Sequence, residues 1–146
     1  MSDQPTFLAL QELTFRPDLD VLLGRWRYQP ALPAELRASY QQLADLALTH
    51  RCRFWLQDLR RRLSPDEETK RWLLQEYYPS VARRFGQRLF VAYLFSPDMH
   101  RQIVEAPDYA PPEAYQDKTY ALNFFGNEGE AVQWLQAHQP TPPPKA

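Results

Sequence analysis

The residues with the most chemistry in reach lie in one run, Phe54-Trp55-Leu56-Gln57-Asp58-Leu59-Arg60-Arg61-Arg62-Leu63-Ser64-Pro65-Asp66-Glu67-Glu68. An apolar stretch there ends on a carboxylate, passes three guanidinium groups and meets a hydroxyl placed to begin a helix. Arg60, Arg61 and Arg62, at the exit of a strand, could receive an anion, because open α/β sheets collect ligands at strand ends and a following helix adds amide donors. Asp66, Glu67 and Glu68 oppose this: they fill the first helical turn, complement its dipole and repel negative charge. The plainer expectation is a solvated arginine face paired with those carboxylates. Ser64, followed by Pro65 and Glu67, fits a capping box, in which the serine oxygen accepts from the Glu67 amide and the Glu67 carboxylate accepts from the Ser64 amide. Asp58 is either a buried acid or an acceptor for the amides of the next loop.

The remaining reactive side chains are scattered. Cys52 is the only cysteine, so an internal disulfide and a site built on several thiolates are excluded. Its neighbours His50, Arg51 and Arg53 carry charge that could lower a thiol pKa, yet no Ser/His/Asp or Cys/His/Asn set surrounds it, and no catalytic residue is assigned. His50, His100 and His138 lack metal-ligand spacing, so no metal site is read. Gly24, Gly86, Gly126 and Gly129 form neither a dinucleotide fingerprint nor a P-loop, and no cofactor is expected. Seventeen basic against eighteen acidic side chains leave a net charge of -1, too little field for a general nucleic-acid binder.

The elements that must position these residues follow from periodicity and turn chemistry. At 146 residues the chain suits one domain over residues 1–139, with the proline-rich 140–146 as a disordered or polyproline-like tail. Phe7 to Phe15 and Leu19 to Tyr28 read as two strands joined by Arg16-Pro17-Asp18, hence an antiparallel hairpin. Pro33 opens a helix whose apolar stripe is Leu36, Tyr40, Leu43 and Ala47, ending near His50. Cys52 to Leu59 is a third strand and Arg88 to Phe95 a fourth, near-continuously apolar and so covered on both faces. Ser64 to about Phe85 is helical, kinked or divided at Pro79. A short helix at Met99 to Glu105, a strand at Thr119 to Phe125 and a helix at Glu128 to Ala137 complete the order β-β-α-β-α-β-α-β-α. The fold class is α/β: a mixed sheet of about five strands, an N-terminal hairpin followed by alternating helices and strands.

No apolar run reaches the roughly 20 residues of a spanning helix, and Met1 to Pro5 lacks the pattern of a signal peptide, so a cytoplasmic location without membrane partners is expected. Trp26 and Tyr28 on the second strand, Trp55 on the third and Trp72 on the helix provide a candidate aromatic patch, for a pocket, a partner or a second copy of the chain in a homodimer.

The element order, with Asp58 closing its strand, a polar loop, a helix carrying Trp72 and the step Tyr78-Pro79, resembles the STAS superfamily, in particular small bacterial proteins like the anti-sigma-factor antagonists of the SpoIIAA type. In those antagonists a serine in an Asp-Ser-x-Gly motif after this strand is phosphorylated by a partner kinase. Leu63-Ser64-Pro65-Asp66 stands in its place without the flanking Asp and Gly, leaving Ser64 as a positional candidate. The resemblance implies a non-enzymatic regulatory domain acting by protein-protein contact, with Asp58, Arg60, Arg61, Arg62 and Ser64 as contact residues. A small-molecule or anion-binding module is the alternative, and an enzyme with an unrecognised site the third.

Overall fold

The computed structural model describes residues 10–27, 32–61 and 66–140. The Arg16-Pro17-Asp18 turn folds the chain back as its residues dictate: Gln11–Arg16 (β1) pairs antiparallel with Val21–Trp26 (β2), Gln11 opposite Trp26 and Arg16 opposite Val21. The Arg16 guanidinium steadies the turn by donating to Asp18 at 2.7 and 3.0 Å. Pro33, whose fixed φ suits a first helical position, starts α1 (Pro33–Thr49), and the Leu32 amide donates to the Glu35 carboxylate at 2.8 Å. Then follow β3 (Phe54–Asp58), α2 (Glu67–Trp72), α3 (Tyr78–Phe85), β4 (Leu89–Leu94), α4 (Pro97–Glu105), β5 (Tyr120–Phe125) and α5 (Glu128–Ala137).

The five strands lie in sequence order, with β2 to β5 mutually parallel. The mixed α/β sheet expected from the sequence is therefore present. Every residue of β4 is buried, as its unbroken apolar run required. Strand alternation divides the side chains between two faces. Trp26, Trp55, Gln57, Tyr93 and Phe124 face the layer holding α1 to α4, where Tyr40 lies against Trp26 and Tyr77 against Trp55. Arg25, Phe54, Asp58, Phe90 and Phe125 face α5, whose Trp134 packs on Phe90 and Phe125 and whose Glu128 reaches Arg25. Helices that join sequentially ordered parallel strands fall on one face when every crossover has the same hand, and the terminal helix is then left to cover the other.

Gly24 shows how tightly the first face is filled. A Cβ there would stand 2.3 Å from Gln11 Oε1 and 2.4 Å from Gln57 Nε2, so the two buried amides occupy the space a side chain would need. Each is tied outward as well, Gln11 donating to Ser39 Oγ at 3.0 Å and Gln57 accepting from the Trp26 indole at 2.9 Å.

The sequence places a break at Pro79; the structure moves it one turn earlier. Leu73–Tyr77 is a π turn between α2 and α3, and Pro79 sits inside the first turn of α3. In π register the Leu73 carbonyl accepts from the Tyr78 amide, so the next carbonyl, Leu74, would need the amide of residue 79. Proline has none. The Tyr120 hydroxyl takes its place, donating to the Leu74 carbonyl at 3.0 Å from β5. Gly86, in the left-handed region at φ 68°, then ends α3.

Candidate functional site

The strand end singled out by the sequence feeds two different clefts, because successive residues point to opposite faces. Asp58 turns toward α5 and Leu59 toward the α1–α4 layer.

On the α5 side, Asp58 is the centre of a four-membered ion-pair network. Arg60 donates to it from Nε at 2.9 Å, from its terminal nitrogen at 2.7 Å and from its backbone amide at 3.1 Å. Arg25 on β2 donates to the same carboxylate at 2.9 Å and forks onto Glu128 at 2.9 and 3.3 Å. Arg60 also reaches Glu128, at 3.5 Å. Burial would raise the Asp58 carboxyl, but the hydrogen bonds from Arg60 and Arg25 outweigh it and hold the group below the ordinary aspartate value. Glu128 is likewise held low, chiefly by Arg25. Both readings of Asp58 are thus realised together: it is a buried acid that accepts a loop amide.

Two expectations change here. Arg60 pairs with Asp58 and Glu128 rather than with the carboxylates of the next helix; Glu67 pairs with Lys70, at 3.3 Å. The cap of α2 is Asp66, which accepts from the Thr69 amide at 2.7 Å, and the helix starts at Glu67, so Ser64 and Glu67 do not form its capping box. An aspartate preceding two glutamates satisfies the first-turn amides from two positions later than the serine. Ser64 and Arg62 themselves lie outside the described residues. Arg61 is exposed and borders the polar cleft with Arg25, Arg27, Arg60, Glu12, Asp58 and Glu128.

The aromatic patch also resolves differently. Trp26 and Trp55 are core residues, 2% and 0% exposed, their indoles donating to Gln57 and to the Cys52 carbonyl. Trp72 is half-buried under the Arg37 guanidinium, and Tyr28 lies outside the described residues. Trp26 and Trp55 thus stabilise the fold by buried area instead of forming a surface. Cys52 is fully buried, and desolvation pushes its thiol up to about 12, which removes the thiolate a nucleophile needs. His50 stacks on Phe15, His138 on Phe90, and the His100 ring meets the Phe124 carbonyl at 3.0 Å. Among the described residues no three His, Cys, Asp or Glu side chains converge to hold a metal, and no helix is long and apolar enough to cross a membrane.

On the other face is a cleft of about 620 Å³, within the range of small-molecule sites. Its floor is the C-terminal half of β4 and β5, with Tyr93, Phe95, Leu122 and Phe124. Leu73 and Leu74 of the π turn form one wall, Met99 and Ile103 of α4 the other, and Leu59, Tyr109 and Tyr115 close the ends. Leu74, Met99, Ile103 and Phe124 are only half-buried, so apolar surface faces the opening. Charges stand around it, Lys70 and Arg71 balanced by Glu67 and Asp108. Tyr93 is 6% exposed and its hydroxyl is hydrogen-bonded to that of Tyr78 behind it. Burial raises the Tyr93 phenol well above its usual value, so it keeps its proton.

Sequence reasoning missed this cleft because its apolar lining residues read as ordinary core and its charged ones as ordinary surface. It missed Arg25 and Glu128 because they stand 33 residues apart from Asp58 and 103 from Arg25, respectively, and only the sheet unites them. A weak signal existed for Arg25, a charge alternating with apolar residues in an otherwise buried strand. No protein-family model, no curated protein and no solved structure matches this chain.

Proposed function

We propose that this chain is a non-catalytic, STAS-like module that binds an apolar small molecule in the cleft between the π turn and α4. The observation that carries the reading is a partly apolar cleft at the carboxyl ends of parallel strands, where open α/β sheets bind ligands. The protein-contact expectation, implied by the STAS resemblance, placed the contact on Asp58, the arginine run and Ser64. Arg60, though exposed, is committed to Asp58 and Glu128, and Arg61 is the exposed arginine beside it. A binding rather than catalytic role has its own support. The buried phenols that line the cleft, Tyr93 and Tyr115, are both raised by burial and retain their protons, while Asp58 and Glu128 sit on the opposite face, held by guanidinium groups.

The test is thermal stability with and without a neutral naphthalene derivative. At a ligand concentration a hundredfold above Kd, binding to the folded state adds about 2.7 kcal/mol, a rise of several degrees in Tm for a chain of this size. Ile103→Trp, which fills the cleft, should abolish the rise. A rise that survives Ile103→Trp unchanged, or none for any neutral aromatic, removes the cleft as the seat of function.

A further inference from the structure

We infer that the ligand of this cleft is an uncharged aromatic molecule carrying one oxygen acceptor, a ketone or ester, and that the Tyr93 hydroxyl donates to that oxygen. The inference rests on the reading of the cleft as a binding site and specifies what enters it.

A proton count supplies the argument. Two phenols carry two hydroxyl hydrogens, and the bond between Tyr78 and Tyr93 uses one of them. Among the described residues neither hydroxyl has another hydrogen-bond partner, so one hydrogen of the pair is left over in a buried place. Tyr93 lines the cleft and Tyr78 does not. With Tyr78 donating to Tyr93, the remaining hydrogen belongs to Tyr93 and is free to turn to the cleft, where a ligand acceptor would satisfy it. A buried donor left without an acceptor costs free energy, which an occupant with an oxygen at this point recovers.

The surroundings set the rest of the ligand. Tyr93 and Phe124 lie in parallel, their ring centroids 5.6 Å apart, with Phe95 stacked on both, so the floor is a group of parallel aromatic rings against which a flat ring system can pack. Among the described residues no cation is hydrogen-bonded to the hydroxyl pair. Lys70 and Arg71 belong to α2 and are matched by Glu67 and Asp108, Lys70 directly by Glu67 at 3.3 Å. An anion at the floor would give up its hydration for neutral donors alone, and a neutral carbonyl loses far less.

The experiment compares two probes of nearly the same shape, 6-propionyl-2-(dimethylamino)naphthalene and its 6-propyl counterpart without the carbonyl, both followed by naphthalene fluorescence. The wild-type chain should bind the ketone about tenfold tighter than the hydrocarbon-tailed probe, the worth of one hydrogen bond to an otherwise unsatisfied donor. Tyr78→Phe should keep that preference, and Tyr93→Phe should lose it while still binding the carbonyl-free probe, whose affinity reports an intact cleft. Equal affinity of the wild type for both probes, or a preference that persists in Tyr93→Phe, overturns the assignment of the hydroxyl but leaves the cleft reading standing. Failure of both probes to bind the wild type overturns both.

Discussion

At the scale of single residues, Asp58 shows how a side chain that attracts functional interest becomes structural once its neighbours are known. Its carboxylate is 9% exposed and meets two arginines that are themselves 38% and 45% exposed, so solvent screens the far side of the network. Both Asp58 and Glu128 titrate below their ordinary range, so the stability they contribute is complete above the unfolded-state values of about 4 and is lost as pH falls through the lower folded-state values. Asp58→Asn should therefore lower stability at neutral pH by about 1–2 kcal/mol and flatten the loss below pH 4, measured by urea unfolding at a series of pH values. An acid limb unchanged by the substitution would mean that Asp58 is not among its causes. Asp58 and Arg60 were singled out in the sequence, though not as partners of each other, because Asp66, Glu67 and Glu68 offered the arginines other carboxylates. Arg25 and Glu128 were not, because their meeting is a consequence of β2 lying beside β3 and of α5 crossing the same face.

Elements were easier to read than sites, and for a physical reason. Hydrophobic period and turn residues act locally, so the hairpin, α1, the buried β4 and α5 fall close to where their sequences put them. The π turn is the exception. Its position depends on Tyr120, more than 40 residues further on, supplying the hydrogen bond that Pro79 withholds from Leu74. Tyr120→Phe should cost about 1–3 kcal/mol by leaving that carbonyl without its donor. Restoring an amide with Pro79→Ala gives Leu74 an alternative partner, so the cost of Tyr120→Phe should shrink in that background. A double-mutant cycle on equilibrium unfolding measures the coupling, and strictly additive losses would contradict the account. The same turn places Leu73 and Leu74 on the wall of the cleft, linking a backbone irregularity to a binding surface.

For the molecule as a whole, the two faces of the sheet divide the work. The α5 face carries a closed network of charges and a stack of Phe54, Phe90 and His138, and the opposite face combines a dense aromatic core with an open apolar cleft. No local pattern announces that cleft. Apolar residues from β4, β5, the π turn and α4 are each half of a packing contact, and it takes the assembled fold to reveal which of them lack the other half. The most direct measurement of the central claim is methyl and amide NMR of the chain titrated with the neutral naphthyl ketone. Shifts should concentrate on Leu73, Leu74, Met99, Ile103 and Leu122, with Val21 and Leu23 on the opposite face unmoved. Shifts centred instead on Arg25, Asp58, Arg60 and Glu128, or absent at saturating ketone, would contradict it.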